Sequence, residues 1–442
     1  MINDQNIAEM KEKYLRILRE NMTLSTGCTE PGAISYCASV AANELRKFGE
    51  EIEFIDVSAS KNVLKNALSA GLPNTTKVGV NFAAGIGALH GDPKNLLNVN
   101  NDVRQEDYDK AESMIKAGKI KVSVSTEPNI LYIKVTVKTK SHEASCIIAN
   151  MHTNVVEIKV DGQITFENKN KDAAKEDRIS AEEIANLLSV EDIYIFADKY
   201  LDVKNDDISI LRKAEELNMR ISEEGLKNNY GLRVGKNTKA LVEGGKEREG
   251  KKTRAIMKAT AAADARMAGA PFAVIANSGS GNQGITLTVP IISYANDMQV
   301  GEEKKYKALV ISNLISIYIK SKFGTLSAFC GAMIASIGAG CGIAYLKGGT
   351  YKEIAAVIHN MAGTLTGMIC DGDKPDCALK IFSGLDTAMF SVRLALFGQR
   401  VSKDDGIVCE DVEKTIDNVA QVSVQCSSGV DDTILNMMTN KK

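Results

Sequence analysis

Apolar residues recur at helical spacing in Ile7–Arg19, where Ile7, Met10, Tyr14, Ile17 and Leu18 share a face, and this predicts an amphipathic first helix. Pro31–Phe48 predicts a second helix, opened by Thr29, Glu30 and Pro31 and stopped by Gly49. Ile52–Ser58 alternates as a strand does, and Lys61–Ala70 reads as a helix closed by Gly71-Leu72-Pro73. The pattern then changes. Lys121–Ser125, Ile130–Thr139, Ala144–Ala149 and Val155–Val160 are rich in Val and Ile and alternate with polar residues, and Asp161-Gly162 turns the chain into Gln163–Phe166. These segments predict a small antiparallel sheet with one wet face. From Ile179 onward the spacing is helical almost to the end, in Ala181–Leu188, Ile208–Ile221, Thr253–Met267, Lys304–Lys320 and Tyr351–Ala362. Lys236–Lys252, charged and rich in Gly, reads as a loop. The expected class is α+β. A mainly helical unit is built from residues 1–50 and 171–442, and a small α/β domain with the antiparallel sheet is inserted at 51–170.

Length supports more than one unit, since 442 residues exceed what one core usually organises. The 54 basic and 56 acidic side chains leave a net charge of −2, which gives no clustered basic surface for nucleic acid or anionic lipid. Thr325–Leu346 runs 22 residues without a charge, long enough for a bilayer. Its Gly, Ala, Ser and Cys content, with a mean hydropathy of −0.11 for the chain, favours a buried helix instead. Met1–Arg19 has no apolar signal-peptide core, so a cytoplasmic location with reduced thiols is expected. Nine Cys in such a chain turn attention to thiol chemistry or metal ligation, against the plainer reading of Cys37, Cys146 and Cys409 as small buried hydrophobes.

Four segments carry residues that packing alone does not require. Ser25-Thr26-Gly27-Cys28-Thr29-Glu30-Pro31-Gly32 places a Cys just ahead of a helix, where free N–H groups and the dipole favour a thiolate; the alternative is a capping turn. Asn277-Ser278-Gly279-Ser280-Gly281-Asn282-Gln283-Gly284 suits backbone binding of a carboxylate or phosphate, yet has no Walker Lys and no dinucleotide fingerprint. Ser327-Ala328-Phe329-Cys330-Gly331 opens the small-residue helix that holds Cys341. Met368–Cys377 sets Cys370 and Cys377 around a polar turn. Thiolates in threes and fours hold iron–sulfur clusters, while zinc pairs are usually closer. Free buried thiols remain the other reading. His90, His142, His152 and His359 have no metal-binding spacing, and no Ser–His–Asp set or nucleophile elbow is present. Lys61 reads as a helix-face Lys rather than a Schiff-base former.

In these segments the chain resembles the L-cysteine desulfidase group, relatives of the alpha chain of bacterial iron–sulfur L-serine dehydratases. The resemblance runs over most of the chain and is firmest at Gly27-Cys28-Thr29-Glu30-Pro31 and at Cys330, Cys370 and Cys377. It implies a [4Fe–4S] cluster held by those three Cys, with one iron free of protein ligands to act as a Lewis acid. It implies that Cys28 is the catalytic base, at a place where the serine dehydratases carry His. It further implies that Ser25, Thr26, Thr29, Asn277, Ser278, Ser280 and Asn282 bind the substrate. The expected reaction is β-elimination of L-cysteine to hydrogen sulfide, pyruvate and ammonia. Cys28 acting as a sulfur-accepting nucleophile stays open. So does Cys426 as a further ligand, and Cys341 reads as a helix-packing residue. Competing readings are an iron–sulfur serine dehydratase, a non-catalytic metal-binding or redox-sensing protein, and a pyridoxal phosphate lyase. Enzymes of this kind are commonly homodimers, and no interface is legible in the sequence.

Overall fold

The computed structural model describes residues 5–73, 75, 77–100, 103–168, 178–324 and 327–440. The chain starts with helix α1 (Ile7–Asn21), strand β1 (Met22–Thr26) and helix α2 (Thr29–Arg46). It continues through β2 (Phe54–Ala59), α3 (Lys61–Ala67), α4 (Val80–Leu89) and α5 (Gln105–Lys116). Strands β3 (Ile120–Val124), β4 (Tyr132–Lys138), β5 (Glu143–Ala149), β6 (Val155–Val160) and β7 (Gln163–Glu167) follow. The remainder is helical but for one strand: α6 (Ala181–Leu187), α7 (Val190–Ile195), α8 (Ser209–Lys227), α9 (Val234–Glu243), α10 (Lys251–Met267), β8 (Ala273–Asn277), α11 (Gly281–Met298), α12 (Glu302–Phe323), α13 (Gly331–Leu346), α14 (Tyr351–Leu365), α15 (Cys377–Leu396) and α16 (Val412–Thr439). The fold is α+β.

A six-stranded sheet runs in the order β3-β2-β4-β5-β6-β7. Its members match the alternating segments of the sequence, but the sheet is not wholly antiparallel. β3 lies parallel to β2, from Ile55 beside Ile120 to Ala59 beside Val124. The reason is the connection: α3, α4 and α5 separate the two strands, and a helical crossover returns the chain in the same direction. Ile55, Val57, Ile133, Val135 and Val137 point to one face and are buried there with α2 and α4. A second pairing, β1 with β8, joins Met22–Thr26 to Ala273–Asn277 and was not expected. The charged segment read as a loop contains α9, whose first turn donates the Gly235 N–H to the buried Asp264 carboxylate at 3.1 Å.

Two apolar cores result. One gathers α1 and the helices from α6 to α16. The other gathers α2 to α5 and the sheet. Helix α2 contributes Ala33, Ile34 and Ala38 to the core of the sheet. The expected boundary near 170 lies outside the described residues. Leu435 of α16 joins the second core, so the last helix ties both together.

Helix α13 is buried all round. Gly338 and Gly342 let it approach α12, where an added Cβ would stand 2.6 Å from the Ser312 carbonyl oxygen and 2.8 Å from that of Ala308. This close packing accounts for the uncharged run, of which Thr325 and Leu326 lie outside the described residues. At 16 residues the helix is shorter than the roughly 20 a bilayer requires. Among the described residues no helix is long and apolar enough to cross a membrane.

His359 of α14 is buried against Thr415 of α16, with Nδ1 3.1 Å from Oγ1. Burial, with some repulsion from Arg400, pushes its pKa down to about 4 from 6.5. The unfolded chain thus takes up a proton that the folded one refuses. Stability is expected to fall as pH drops from about 6.5 towards 4, by up to about 3 kcal/mol. Denaturant unfolding across this range should show the loss in the native protein, and His359→Gln should flatten it.

Candidate active site

Three of the four segments place a Cys at the start of a helix. Cys28 is the N-cap of α2, Cys330 the N-cap of α13, and Cys377 the first residue of α15. Cys330 and Cys370 are brought together by a short antiparallel bridge between Phe329 and Ile369. In it the Cys330 N–H donates to Met368 O and the Cys370 N–H to Ala328 O, both at 2.7 Å. The two side chains are hydrogen-bonded, and Cys377 is close enough to interact electrostatically with both. Cys377 in turn shares a small buried cluster with Cys28, Ala70 and Met267. Sulfur atoms 40 and 7 residues apart along the chain thus share one region.

Charge is arranged around them. The Cys330 thiol donates to Cys370 and holds the Cys370 sulfur towards the thiolate, helped by Lys65, the Gly372 N–H and Lys380. Cys330 and Cys377 are pushed up, the first chiefly by that same bond and the second by burial. Burial pushes Lys320 down to about 8, against the pull of Cys370, Cys330 and Glu30. Lys65 forms a buried ion pair with Asp431 of α16 at 2.6 Å. The α16 hydroxyl of Ser427 accepts from the Ala328 N–H at 3.2 Å, so the last helix also supports the Cys330 strand.

The surroundings of Cys28 differ from those expected. Its pKa is pushed well above the ordinary range, mainly by burial and then by the neighbouring Asp373, with Arg266 pulling the other way. The helix N-terminus therefore does not by itself make a thiolate. Asp373 is hydrogen-bonded to the Cys28 thiol and, from burial and the nearby Glu30, is pushed up to about 7. Glu30 accepts from Asn66 Nδ2 at 2.9 Å and lies 3.9 Å from His152 Nε2.

The residues expected to bind substrate fall into two sets. Ser25 and Thr26 lie on β1 opposite Val274 and Ala273. Thr29 donates to Gly279 O at 3.2 Å and joins the α2 start to the glycine loop. Asn282 accepts from Arg266 Nη1 at 3.2 Å. In contrast, Asn277 is committed to Asn313 at 2.9 Å, Ser278 donates to Asn277, and Ser280 caps α11 by accepting from the Gln283 N–H. Only Ser278–Ser280 remains a loop, because Asn277 ends β8 and Gly281 already starts α11. Gly284 is required there: a Cβ would lie 1.9 Å from Ile275 O.

Asp373, Arg266, Gln283, Lys65 and Lys320 were not singled out in the sequence. One signal was available for Arg266. With Asp264 it breaks the small-residue pattern of Ala261-Ala262-Ala263-Asp264-Ala265-Arg266, where packing does not ask for charge.

An iron–sulfur cluster and a single metal ion ask different things of the donor set. Among the described residues no three Cys, His, Asp or Glu side chains converge as ligands of a single ion. A four-iron core takes its thiolates at separate corners, so it asks for neighbouring sulfurs rather than one point. Cys330, Cys370 and Cys377 have that relation, with cations beside them and a backbone N–H on Cys370. The residues fit the group.

The model of the serine dehydratase alpha chain family matches residues 19–436. A UPF0597 protein of Porphyromonas gingivalis is 38% identical over 438 residues, covering 98% of this chain and 99% of the relative. One from Clostridium perfringens is 39% identical over 436 residues, with the same coverage of each. One from Treponema denticola is 38% identical over 429 residues, or 97% of both chains. The chain belongs to the serine dehydratase alpha chain family, which points to a lyase of the dehydratase kind.

Proposed function

We propose that the protein is a cytoplasmic iron–sulfur-dependent L-cysteine desulfidase, a carbon–sulfur lyase with Cys330, Cys370 and Cys377 as the cluster ligands. The observation that carries this reading is the meeting of Cys28 with Cys377 and Asp373, beside the bridged pair Cys330 and Cys370. When bound, a [4Fe–4S] cluster with one iron free of protein ligands supplies a Lewis acid for the departing sulfur. Cys28 Sγ is the base that takes the Cα proton. Asp373, hydrogen-bonded to that sulfur, is placed to hold the thiol's own proton while Sγ acts. A positive charge arriving at Cys28 would favour this shift, as Arg266 already does. Burial of the thiol keeps water from the reacting carbon. Elimination yields hydrogen sulfide and aminoacrylate, which hydrolyses to pyruvate and ammonia.

The family match favours a second reading, L-serine dehydration. Anaerobically reconstituted protein should turn over L-cysteine faster than L-serine; comparable or better activity on serine would reject the desulfidase reading. Cys28→Ala should keep its iron and lose about 10²–10⁴-fold in turnover, the usual worth of a positioned base. Loss of iron in that variant would remove Cys28 from the role of base.

A further inference from the structure

Arg266 carries no proton in that path, yet its own placement is unusual. It projects from α10, is 3% exposed, and among the described residues no carboxylate lies within ion-pair distance of it. Asp373 acts on it only from a distance, and a buried guanidinium without a direct ion pair is costly. Its contacts place it at the site. Nη2 donates to Gly27 O at 2.7 Å, one residue before Cys28, and Nη1 donates to Asn282 Oδ1 at 3.2 Å. Nε is buried without a partner. Gly281 makes room for the group, since a Cβ there would stand 2.2 Å from Nε. A second observation is independent of Arg266. Gln283, 3% exposed on the same first turn of α11, has its Oε1 buried without a partner, and its amide lies against Gly331 beside Cys330. Asn66 Oδ1, on the residue that donates to Glu30, is another unpartnered acceptor. An unsatisfied cationic donor beside Cys28, with unsatisfied acceptors beside Cys330 and Glu30, is the complement of a zwitterion, which brings a carboxylate and three N–H donors.

We infer that Arg266 anchors the α-carboxylate of the amino-acid substrate, a step that rests on the lyase reading. The neutral acceptors of Gln283 and Asn66 take the ammonium end. The site then selects free α-amino acids and rejects amines that lack the carboxylate.

The test compares reconstituted protein and its Arg266→Lys and Arg266→Gln variants, with calorimetric binding of unreactive L-alanine beside kinetics. Native protein should bind L-alanine and ignore ethylamine. Both variants should keep their iron and unfolding midpoint, raise KM and weaken L-alanine binding by about tenfold or more, the worth of a charge-assisted hydrogen bond. Lys should be the milder change, and in a third variant, Arg266→Ala, guanidinium salt should restore part of the lost binding. Unchanged L-alanine affinity in folded Arg266→Lys and Arg266→Gln would overturn the anchor. Native protein that binds L-alanine through Arg266 but eliminates nothing would sink the lyase reading and leave the anchor standing. Native protein that binds no amino acid would overturn both.

Discussion

Cys330→Ala, Cys370→Ala and Cys377→Ala should each strip iron and turnover together, with activity falling by more than about a hundredfold. The size follows from metal sites in general, where loss of a group that only supports a ligand already costs roughly 10–100-fold. Folding is not the reason for the loss. Cys330 and Cys370 are held by main-chain bonds that survive truncation of the side chain, and Cys377 sits at a helix start. Removing one sulfur also unsettles its neighbour. Without the Cys330 thiol, Cys370 loses the donor that most favours its thiolate form. Cys341→Ala is the control, because that thiol is buried inside α13 and faces the Ile354 carbonyl oxygen. Iron and acid-labile sulfide per chain after anaerobic purification decide the matter. Full iron in any of the three variants would remove that residue from the ligand set.

Asp431→Ala should destabilise the protein by about 3–5 kcal/mol, since it leaves the Lys65 ammonium buried without its counter-ion. Lys65 and Asp431 are 2% and 6% exposed as side chains, so water cannot take over the lost role. The double variant Lys65→Met with Asp431→Leu should recover most of the loss, because the cost lies in an unpaired charge rather than in the absence of a pair. Urea unfolding of the two proteins measures this, and equal loss in both would sink the argument. The single variant should also lower iron occupancy. The Lys65 carbonyl lies where a Cβ on Gly372 would meet it at 2.2 Å, so α3 abuts the turn that carries Cys370. Loosening α16 from α3 frees that turn.

Local pattern reached far in this protein. Strands β2 and β4 alternate because one face meets α2 and α4 while the other is more open. Period-two patterning records that difference, so β4, β5, β6 and β7 are legible within about two residues. Helices α1, α2 and α10 show their spacing and their breaks equally well. What failed were features fixed from a distance. β1 is short, and nothing in Met22–Thr26 announces that it will pair with a strand 250 residues later. The direction of β3 depends on the crossover and not on its own residues. α9 carries the charges of a loop and is held by a carboxylate from α10.

Cysteine identity and spacing, the glycine loop and the turn before α2 could all be read from order along the chain, since composition alone marks a thiol at a helix start or a backbone free to approach a ligand. Their shared location could not. It depends on the bridge of Phe329 to Ile369, the pairing of β1 with β8, and the cluster that gathers Cys28 and Cys377, all joining remote segments. Electrostatics belongs to the same category. A helix N-terminus favours a thiolate at Cys28 by local argument, yet burial beside Asp373 and Glu30 reverses the sign. Desolvation and through-space charge depend on what the fold brings near, and a linear string of residues does not contain those distances.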